Sequence, residues 1–334
     1  MCPRRVLFSK LGLILLFASV LIPGGCGGSS SSGTGGGPPP APQSLYLSLG
    51  TGIAVFPLTA NGNVAPASLI TGTNTTLSNT YSVALDGKGN IYAGNYAFAA
   101  GSITVYPASS NGNVAPTATI TGASTGLAGP VALALDAKGN IYVANYDGQS
   151  VTVYTAGSNG DAAPLTAISG ALTGLSNPEG IAVDAAGNIY VANSNNDSVT
   201  IYSPGTNGNA APAATISGAS TGLHDPNAIS LDAAGNIYVG NVHSDSVTVY
   251  AKGSSGNANP LTTISGTATQ INGPEGIAVD AKGNIYLSNY LFVPGAVGTL
   301  TVYAPGADGN TPPEATISGA ATGLDNGVTG IAVH

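Results

Sequence analysis

Carboxylate and amide side chains occupy the same place in successive copies of a repeated phrase. Glu179 stands in "NPEGIAVDAAGNIYVAN", and its position is filled by Asn227 and Glu275 in the next two copies. His224 lies three residues before Asn227. Carboxylate and amide oxygens are the ligands that calcium and magnesium prefer, and histidine exchanges protons near neutral pH. These four residues are therefore candidate ligand or metal-binding residues, while no catalytic residue is assigned.

The phrase around Glu179 is one copy of a repeat. Other copies read "VALALDAKGNIYVAN", "AISLDAAGNIYVGN" and "GIAVDAKGNIYLSN". One aspartate marks each copy, at separations of 50, 48, 48 and 48 residues: Asp86, Asp136, Asp184, Asp232 and Asp280. Periods of this size are typical of propellers and arrays. The unit from Gly180 divides into four β-rich pieces, "GIAVD", "NIYVAN", "SVTIY" and "APAATISG", which predicts one four-stranded antiparallel blade per period.

The count of strand types predicts the number of blades. Five second strands contain "NIY", and "LYLSLG" at Leu45 makes a sixth. The repeat region begins with a second strand and ends with a first strand, "GIAVH". Pairing of these two pieces closes the ring and hides the sheet edges. We therefore predict an all-β, six-bladed β-propeller over residues 43–334.

The invariant polar residues of the repeat are predicted to be structural. Asp-x-x-Gly-Asn between the first two strands is typical of a type I turn with a bulge, which makes Asp184 a turn residue. "TNGN" and its relatives are predicted turns between the third and fourth strands. The asparagines that end the second strands recur once per blade, which favours a structural hydrogen-bond role: Asn145, Asn193, Asn241 and Asn289.

The N-terminal segment predicts export. Arg4, Arg5 and Lys10 precede an apolar run, residues 11–22, which is short for a membrane span of ~20 residues and fits a signal peptide over residues 1–25. "PGGC" resembles the lipobox at which bacterial lipoproteins are lipidated, here on Cys26, although Pro23 stands where that motif normally carries leucine. Residues 26–42 form a Gly/Ser/Pro-rich tether. The resemblance implies a lipid anchor in the bacterial cell envelope, and plain secretion with free Cys26 is the alternative.

Charge excludes one class of partner. From Cys26 onward the chain has four lysines, no arginine and fifteen acidic residues, a formal charge of −11. Such a chain repels phosphate backbones and lacks the guanidinium groups that read bases, so nucleic acid is not expected as a partner. Removal of the signal leaves Cys26 as the sole cysteine, so no internal disulfide is expected.

The repeat resembles a known family. "PEGIAVDAAGNIYVAN" with the following "DSVTIY" and "NGN" is similar to the NHL repeat, which implies a six-bladed propeller. The chain departs from that pattern at Asn145 and Asn193, where aspartate is usual, and at the position before the third strand, where arginine is common and this chain has serine: Ser150, Ser198 and Ser246. Partner recognition through a basic surface is therefore not expected.

Three roles remain open: a binding or scaffold module, a metal-dependent enzyme, and a purely structural component of an extracellular assembly. The interval from the closing asparagine of strand two to strand three is 6 residues in three units, 8 from Asn95 to Ile103 and 11 from Asn289 to Leu300, and variable loops on a rigid scaffold commonly bind partners. We expect a monomeric, envelope-anchored binding or scaffold module for a protein or glycan, with the lipid as its only membrane contact.

The alternative is a divalent-metal-dependent hydrolase or lyase, similar to gluconolactonase-like propellers or to virginiamycin B lyase. Its site would lie at the channel mouth and hold calcium or magnesium. The alternative to a metal site is that Glu179 and Glu275 have no ligand and only face water in the channel. A zinc site of His224, His243 and His334 is disfavoured because His334 is expected at the opposite end of its strand.

Overall fold

The computed structural model describes residues 43–290, 298–324 and 327–334. The chain divides into a first unit, Met1–Ala41, and a second, Pro42–His334. The predicted signal peptide, the tether and Cys26 lie outside the described residues. None of the helices in the described ranges has the length and apolar character needed to cross a membrane.

The described part of the second unit consists almost entirely of short strands. Blades 1 to 3 contain β1 (Ser44–Ser48), β2 (Gly52–Pro57), β3 (Ser68–Thr71), β4 (Thr80–Leu85), β5 (Ile91–Ala97), β6 (Ala100–Tyr106), β7 (Ala118–Ile120), β8 (Pro130–Leu135), β9 (Ile141–Asn145), β10 (Ser150–Tyr154) and β11 (Thr166–Ser169). Blades 4 to 6 contain β12 (Pro178–Val183), β13 (Ile189–Asn193), β14 (Ser198–Tyr202), β15 (Ala214–Ser217), β16 (Pro226–Leu231), β17 (Ile237–Asn241), β18 (Ser246–Tyr250), β19 (Thr262–Ser265), β20 (Pro274–Val279), β21 (Ile285–Asn289), β22 (Thr299–Tyr303) and β23 (Ala315–Ile317). The C-terminal strand is β24 (Ile331–Val333), and single 3₁₀ turns cover Thr73–Thr75, Ser194–Asn196 and Ala320–Thr322.

The six sheets are four-stranded antiparallel blades, which confirms the predicted fold class. Five blades are continuous in sequence, and the remaining one has the order β24-β1-β2-β3. In that blade Leu47 pairs with Ile331 and Leu45 pairs with Val333. The N- and C-terminal strands therefore close the ring as the strand count predicts.

The repeat's invariant polar residues hold the turns. Asp184 Oδ1 accepts the backbone N–H groups of Ala186 and Asn188, at 2.9 and 2.8 Å, and its Oδ2 accepts Asn188 Nδ2 at 2.7 Å. Burial alone would raise the pKa of Asp184, but these hydrogen bonds outweigh it and hold the pKa below its ordinary value. Asn193 is fully buried, and its Nδ2 donates to Thr200 Oγ1 at 3.1 Å. Both structural predictions are confirmed.

The Asn-Gly-Asn segments, and their counterparts Asn-Gly-Asp, Ser-Gly-Asn and Asp-Gly-Asn, do more than turn the chain. Gly112 forms a parallel bridge with Ile70 in the outer strand of the preceding blade, and Asn113 Oδ1 accepts the N–H of Asn74 at 2.7 Å. The corresponding bridges around the ring are Ile120–Gly160, Ile168–Gly208, Ile216–Gly256, Ile264–Gly309 and Gly62–Ile317. Each segment thus latches one blade to the one before it, and the last bridge closes the ring a second time at its outer rim.

The core lies between neighbouring blades. The tyrosines that end the third strands are fully buried there: Tyr106, Tyr154, Tyr202, Tyr250 and Tyr303. Each hydroxyl donates to a threonine carbonyl, as Tyr250 does to Thr221 O at 2.6 Å. Because a buried hydroxyl without a partner is destabilising, this bond lets a large polar-tipped ring fill the space between two sheets. The result is a rigid ring around the central channel.

Candidate functional site

A β-bulge at the start of the inner strand positions the candidate residues. In blade 4 the register between β12 and β13 shifts between Pro178 and Gly180, so Glu179 has no ladder partner. The same shift leaves Asn227 and Glu275 unpaired in the next two blades. A bulge re-aims a side chain out of the sheet. The short phrase "Pro-x-small" thus turns one residue per blade toward the channel axis.

Close approach of the inner strands holds these residues near one another. A Cβ on Gly180 would lie 2.6 Å from the carbonyl oxygen of Asn227 in the neighbouring blade. Only glycine permits this contact, so the inner strands of the two blades approach one another closely. Two neighbouring bulges are thereby drawn together beside the axis.

The bulged residues open into a cavity of about 360 Å³ at the channel mouth. Its lining comprises Tyr81, Tyr96, Val131, Tyr146, Glu179, Asp225, Asn227, Val242 and Glu275. A groove beside it shares Tyr146, Glu179 and Asp225 with the cavity and adds Ser194, His224 and His243. The structure therefore brings Glu179, Asn227 and Glu275 together and places His224 in the adjoining groove.

Glu179 is a carboxylic acid tuned close to neutral pH. Its Oε1 accepts a hydrogen bond from Ser194 Oγ at 2.7 Å. Burial raises the pKa of Glu179 to about 7, the Ser194 hydrogen bond acts against the rise, and the charge of Asp225 adds to it. Near pH 7 this group therefore exists in both protonation states, as a proton donor or acceptor requires.

Glu275 lies in a similar environment and is coupled to Glu179. Asn227 Nδ2 donates to Glu275 Oε2 at 3.2 Å. Burial, and to a smaller extent the charges of Glu179 and Asp225, raise the pKa of Glu275 to about 7 against the opposing effect of the Asn227 hydrogen bond. Since the two carboxyls influence one another, they titrate as a pair.

His224 belongs to a small cluster in the groove. Its ring stacks on His243, with centroids 5.2 Å apart, and His243 Nδ1 lies 2.9 Å from Asp225 Oδ2. His334 lies elsewhere, against the turn between β4 and β5, where a Cβ on Gly89 would be 3.5 Å from its Cε1. The three histidines do not converge, which agrees with the predicted position of His334 at the opposite end of its strand.

The donor set offers little to a metal ion. Within the described ranges, no three His, Cys, Asp or Glu side chains are grouped closely enough to hold one. Calcium takes six to eight oxygen ligands. The cavity supplies the carboxylates of Glu179, Glu275 and Asp225, the last paired with His243, and the amide of Asn227, whose Nδ2 faces Glu275. Calcium or magnesium binding therefore stays a prediction, and a bound ion would need water for most of its ligands.

An aromatic wall on the other side of the cavity was missed by the sequence analysis. Tyr81 packs against Tyr96 with ring centroids 5.4 Å apart, and Tyr146 OH accepts Asn177 Nδ2 at 3.0 Å. Tyr96 and Tyr146 each follow the asparagine that ends a second strand, and blades 4 and 5 carry Ser194 and Val242 at that position. Blade 6 again carries a tyrosine, Tyr290. The recurrence of tyrosine beside the asparagine of the continuous blades was a signal that could have identified the wall.

Comparison with protein families places the chain among propellers. The model of the NHL repeat matches residues 175–202, and the model described as "Lactonase, 7-bladed beta-propeller" matches residues 45–171. A third, "Strictosidine synthase-like, N-terminal", matches residues 262–289. The lactonase stretch contains the three cavity tyrosines and Val131 but none of the residues Glu179, Asn227 and Glu275. No protein of curated function matches the chain.

Solved structures share the fold at low identity. A protein of unknown function from Bacteroides caccae has a TM-score of 0.63 and 13% identity, over 88% of this chain and 99% of that one. A Lactobacillus plantarum protein has a TM-score of 0.57 and 18% identity, over 83% and 82% of the two chains. A Bacteroides uniformis protein, provisionally described as a 6-phosphogluconolactonase, has a TM-score of 0.55 and 17% identity, over 79% of each chain. These likenesses establish the fold alone.

Proposed function

We propose that this protein is a binding module of the bacterial cell envelope whose propeller takes its ligand at the channel mouth. The supporting observation is where the repeat varies. The turn aspartate and the strand-two asparagine recur in all five continuous blades. The bulged positions of those blades carry Tyr, Val, Glu, Asn and Glu, and the residues after the asparagines carry Tyr, Tyr, Ser, Val and Tyr. These are the positions that line the cavity of about 360 Å³, a size typical of small-ligand sites.

The placement of polar and aromatic groups around the cavity indicates the size of the ligand. Its polar groups converge from blades 4, 5 and 6, and its tyrosines come from blades 2 and 3. A single sugar residue, or one side chain of a protein partner, would meet both walls at once. The ligand is therefore a glycan unit or a protruding segment of a protein, presented to the mouth from outside.

Envelope attachment is the second part of the proposal. Lipidation of Cys26, followed by the tether of residues 26–42, would hold the propeller near a membrane while leaving the mouth accessible. The test is Cys26→Ser expressed in a bacterial host that lipidates exported proteins. We expect the variant to move from the membrane fraction to the soluble fraction, and equal membrane association of both forms would contradict the anchor.

The binding part is tested with the propeller and a panel of ligands covering neutral, acidic and amino monosaccharides and short charged peptides. We expect at least one class to bind, and Glu179→Gln combined with Glu275→Gln to weaken it. Glu314→Gln is the matched control, because Glu314 is the remaining glutamate of the chain and is exposed on the outer rim. Binding that the double variant leaves unchanged, or a panel without any binder, would refute the proposal.

A hydrolase or lyase is the second candidate, favoured by two observations. Glu179 and Glu275 both have a pKa of about 7, which suits general acid–base catalysis, and the lactonase family model matches part of the chain. Hydrolysis of D-glucono-1,5-lactone followed by proton release, with calcium or magnesium added, tests this candidate. Turnover that Glu179→Gln abolishes and Glu314→Gln preserves would establish an enzyme, and turnover equal to the buffer rate would exclude lactone hydrolysis.

A further inference from the structure

We propose that the group bound in the mouth cavity is a protonated primary amine, held between Glu179 and Glu275 with the adjoining carbon skeleton against Tyr81 and Tyr96. This inference rests on the proposed binding function and names the ligand class of that site. The carrying observation is a cavity with two unlike walls, one acidic and one aromatic.

The two glutamates of the acidic wall lack a counter-charge, whereas Asp225, which also lines the cavity, lies 2.9 Å from His243 Nδ1. Glu179 and Glu275 each accept one hydrogen bond, from the neutral groups of Ser194 and Asn227, and neither forms an ion pair with a described residue. A carboxylate accepts about four hydrogen bonds, so both retain acceptor capacity toward the cavity.

The lysines of the propeller do not supply that charge. Three lie in the turns between first and second strands, and the last follows the third strand of blade 5, all on the face opposite the mouth: Lys88, Lys138, Lys282 and Lys252. An ammonium group, with three donors and one positive charge, matches what the acidic wall lacks. An anionic ligand such as a phosphate ester would instead be repelled.

The aromatic wall favours an organic cation over a metal ion. Tyr81 and Tyr96 form a tilted pair, and Tyr81 is 40% exposed. Ammonium groups are attracted to tyrosine faces, and the carbon chain or ring beside the ammonium would cover the exposed tyrosine surface and Val131. A calcium ion gains nothing from these rings and finds too few oxygens in the described lining.

The test measures binding of matched small probes by isothermal titration calorimetry at pH 7.5 in about 0.15 M salt, where surface charges are screened. In one pair, 1,5-diaminopentane represents an aliphatic amine such as a lysine side chain, and 1,5-pentanediol is its hydroxyl counterpart. The other pair is D-glucosamine and D-glucose, which represents an amino sugar. Calcium chloride is titrated separately.

We expect the amine of at least one pair to bind roughly tenfold or more tightly than its hydroxyl counterpart, since charged hydrogen bonds are stronger than neutral ones. Glu275→Gln and Glu179→Gln should each reduce that affinity, and Glu314→Gln should leave it unchanged. The pair that shows the preference identifies the source of the amine. Melting temperatures of the variants confirm that they fold.

Three results would overturn the inference. Equal affinity for amine and hydroxyl probes, or no measurable amine binding, removes the amine assignment. If D-glucose or calcium binds more tightly than either amine, and the double glutamine variant abolishes that binding, the amine assignment is wrong while the proposed binding function stands. If amine binding survives unchanged in the double variant, the amine lies outside the mouth and the ligand class of this cavity is refuted.

Discussion

Replacement of Glu275 by glutamine is expected to stabilise the propeller at pH 8 and to have little effect at pH 4. The folded-state pKa of Glu275 is about 7, against an ordinary value of 4.5. Between these two values the folded protein keeps a proton that the unfolded chain releases, so folding stability falls as pH rises from 4.5 to 7. The stability that the protonated Glu275 contributes is fully present below pH 4.5 and is lost above about pH 7. Glutamine resembles the protonated acid at every pH and avoids this loss.

The magnitude follows from the same two values. Each pKa unit corresponds to about 1.4 kcal/mol, so the wild-type penalty at pH 8 is about 3 kcal/mol. Part of the rise comes from the charge of Glu179. Either single variant removes the repulsion between the two carboxylates, so the double variant should gain less than the sum of the single variants.

The assay has two parts. Urea unfolding at pH 4 and pH 8 compares wild type, Glu275→Gln and the exposed control Glu314→Gln, so that the titration of all other groups cancels in the differences. Carboxyl-¹³C labelling of glutamate gives three resonances, because the chain contains three glutamates, and each single variant assigns one of them. Titration of both cavity glutamates near 4.5, or a stability difference for Glu275→Gln that is the same at both pH values, would refute the reasoning.

The remaining predictions concern the scaffold. Gly170→Ala should lower the free energy of unfolding by about 1–3 kcal/mol, because Gly170 has φ +121° and a Cβ there would lie 2.5 Å from the Asn209 side chain. Gly87→Ala is the control and should change the melting temperature little, because a Cβ on Gly87 would have no atom within 4 Å. Asp184→Asn should lower the melting temperature at pH 7, and the difference from wild type should shrink as pH falls below 3.8. The reason is that hydrogen bonds outweigh burial and hold the pKa of Asp184 below 3.8 in the folded state. A difference in melting temperature that does not depend on pH would contradict this. Tyr250→Phe should cost about 1 kcal/mol in urea unfolding through the lost buried hydrogen bond, and an unchanged unfolding midpoint would argue against it.

The blade count and the closure were predictable because a propeller repeats one local pattern. Each blade needs the same turn chemistry, so Asp184 and its equivalents recur and reveal the period. The offset between a terminal first strand and an initial second strand then leaves β24 and β1 as complementary edges. Both inferences use only neighbours in sequence and the cost of an unpaired edge.

The Asn-Gly-Asn latch was not predictable in this way. Its partners lie in the preceding blade, as Gly112 meets Ile70, and the closing bridge joins Gly62 to Ile317 across nearly the whole chain. The same three letters also suit an isolated turn. Local propensity therefore predicted the bend and missed the contact.

The candidate site divides in the same manner. The sequence by itself determined that Glu179, Asn227 and Glu275 occupy one position in three successive blades, since the repeat fixes their angular order around the axis. Only the tertiary structure decided that the bulges turn them into one cavity, that Asn227 bonds Glu275, and that Tyr96 and Tyr146 complete the opposite wall. The physical reason is that burial and distance depend on how closely six inner strands approach the axis, and these two quantities raise the pKa of both glutamates.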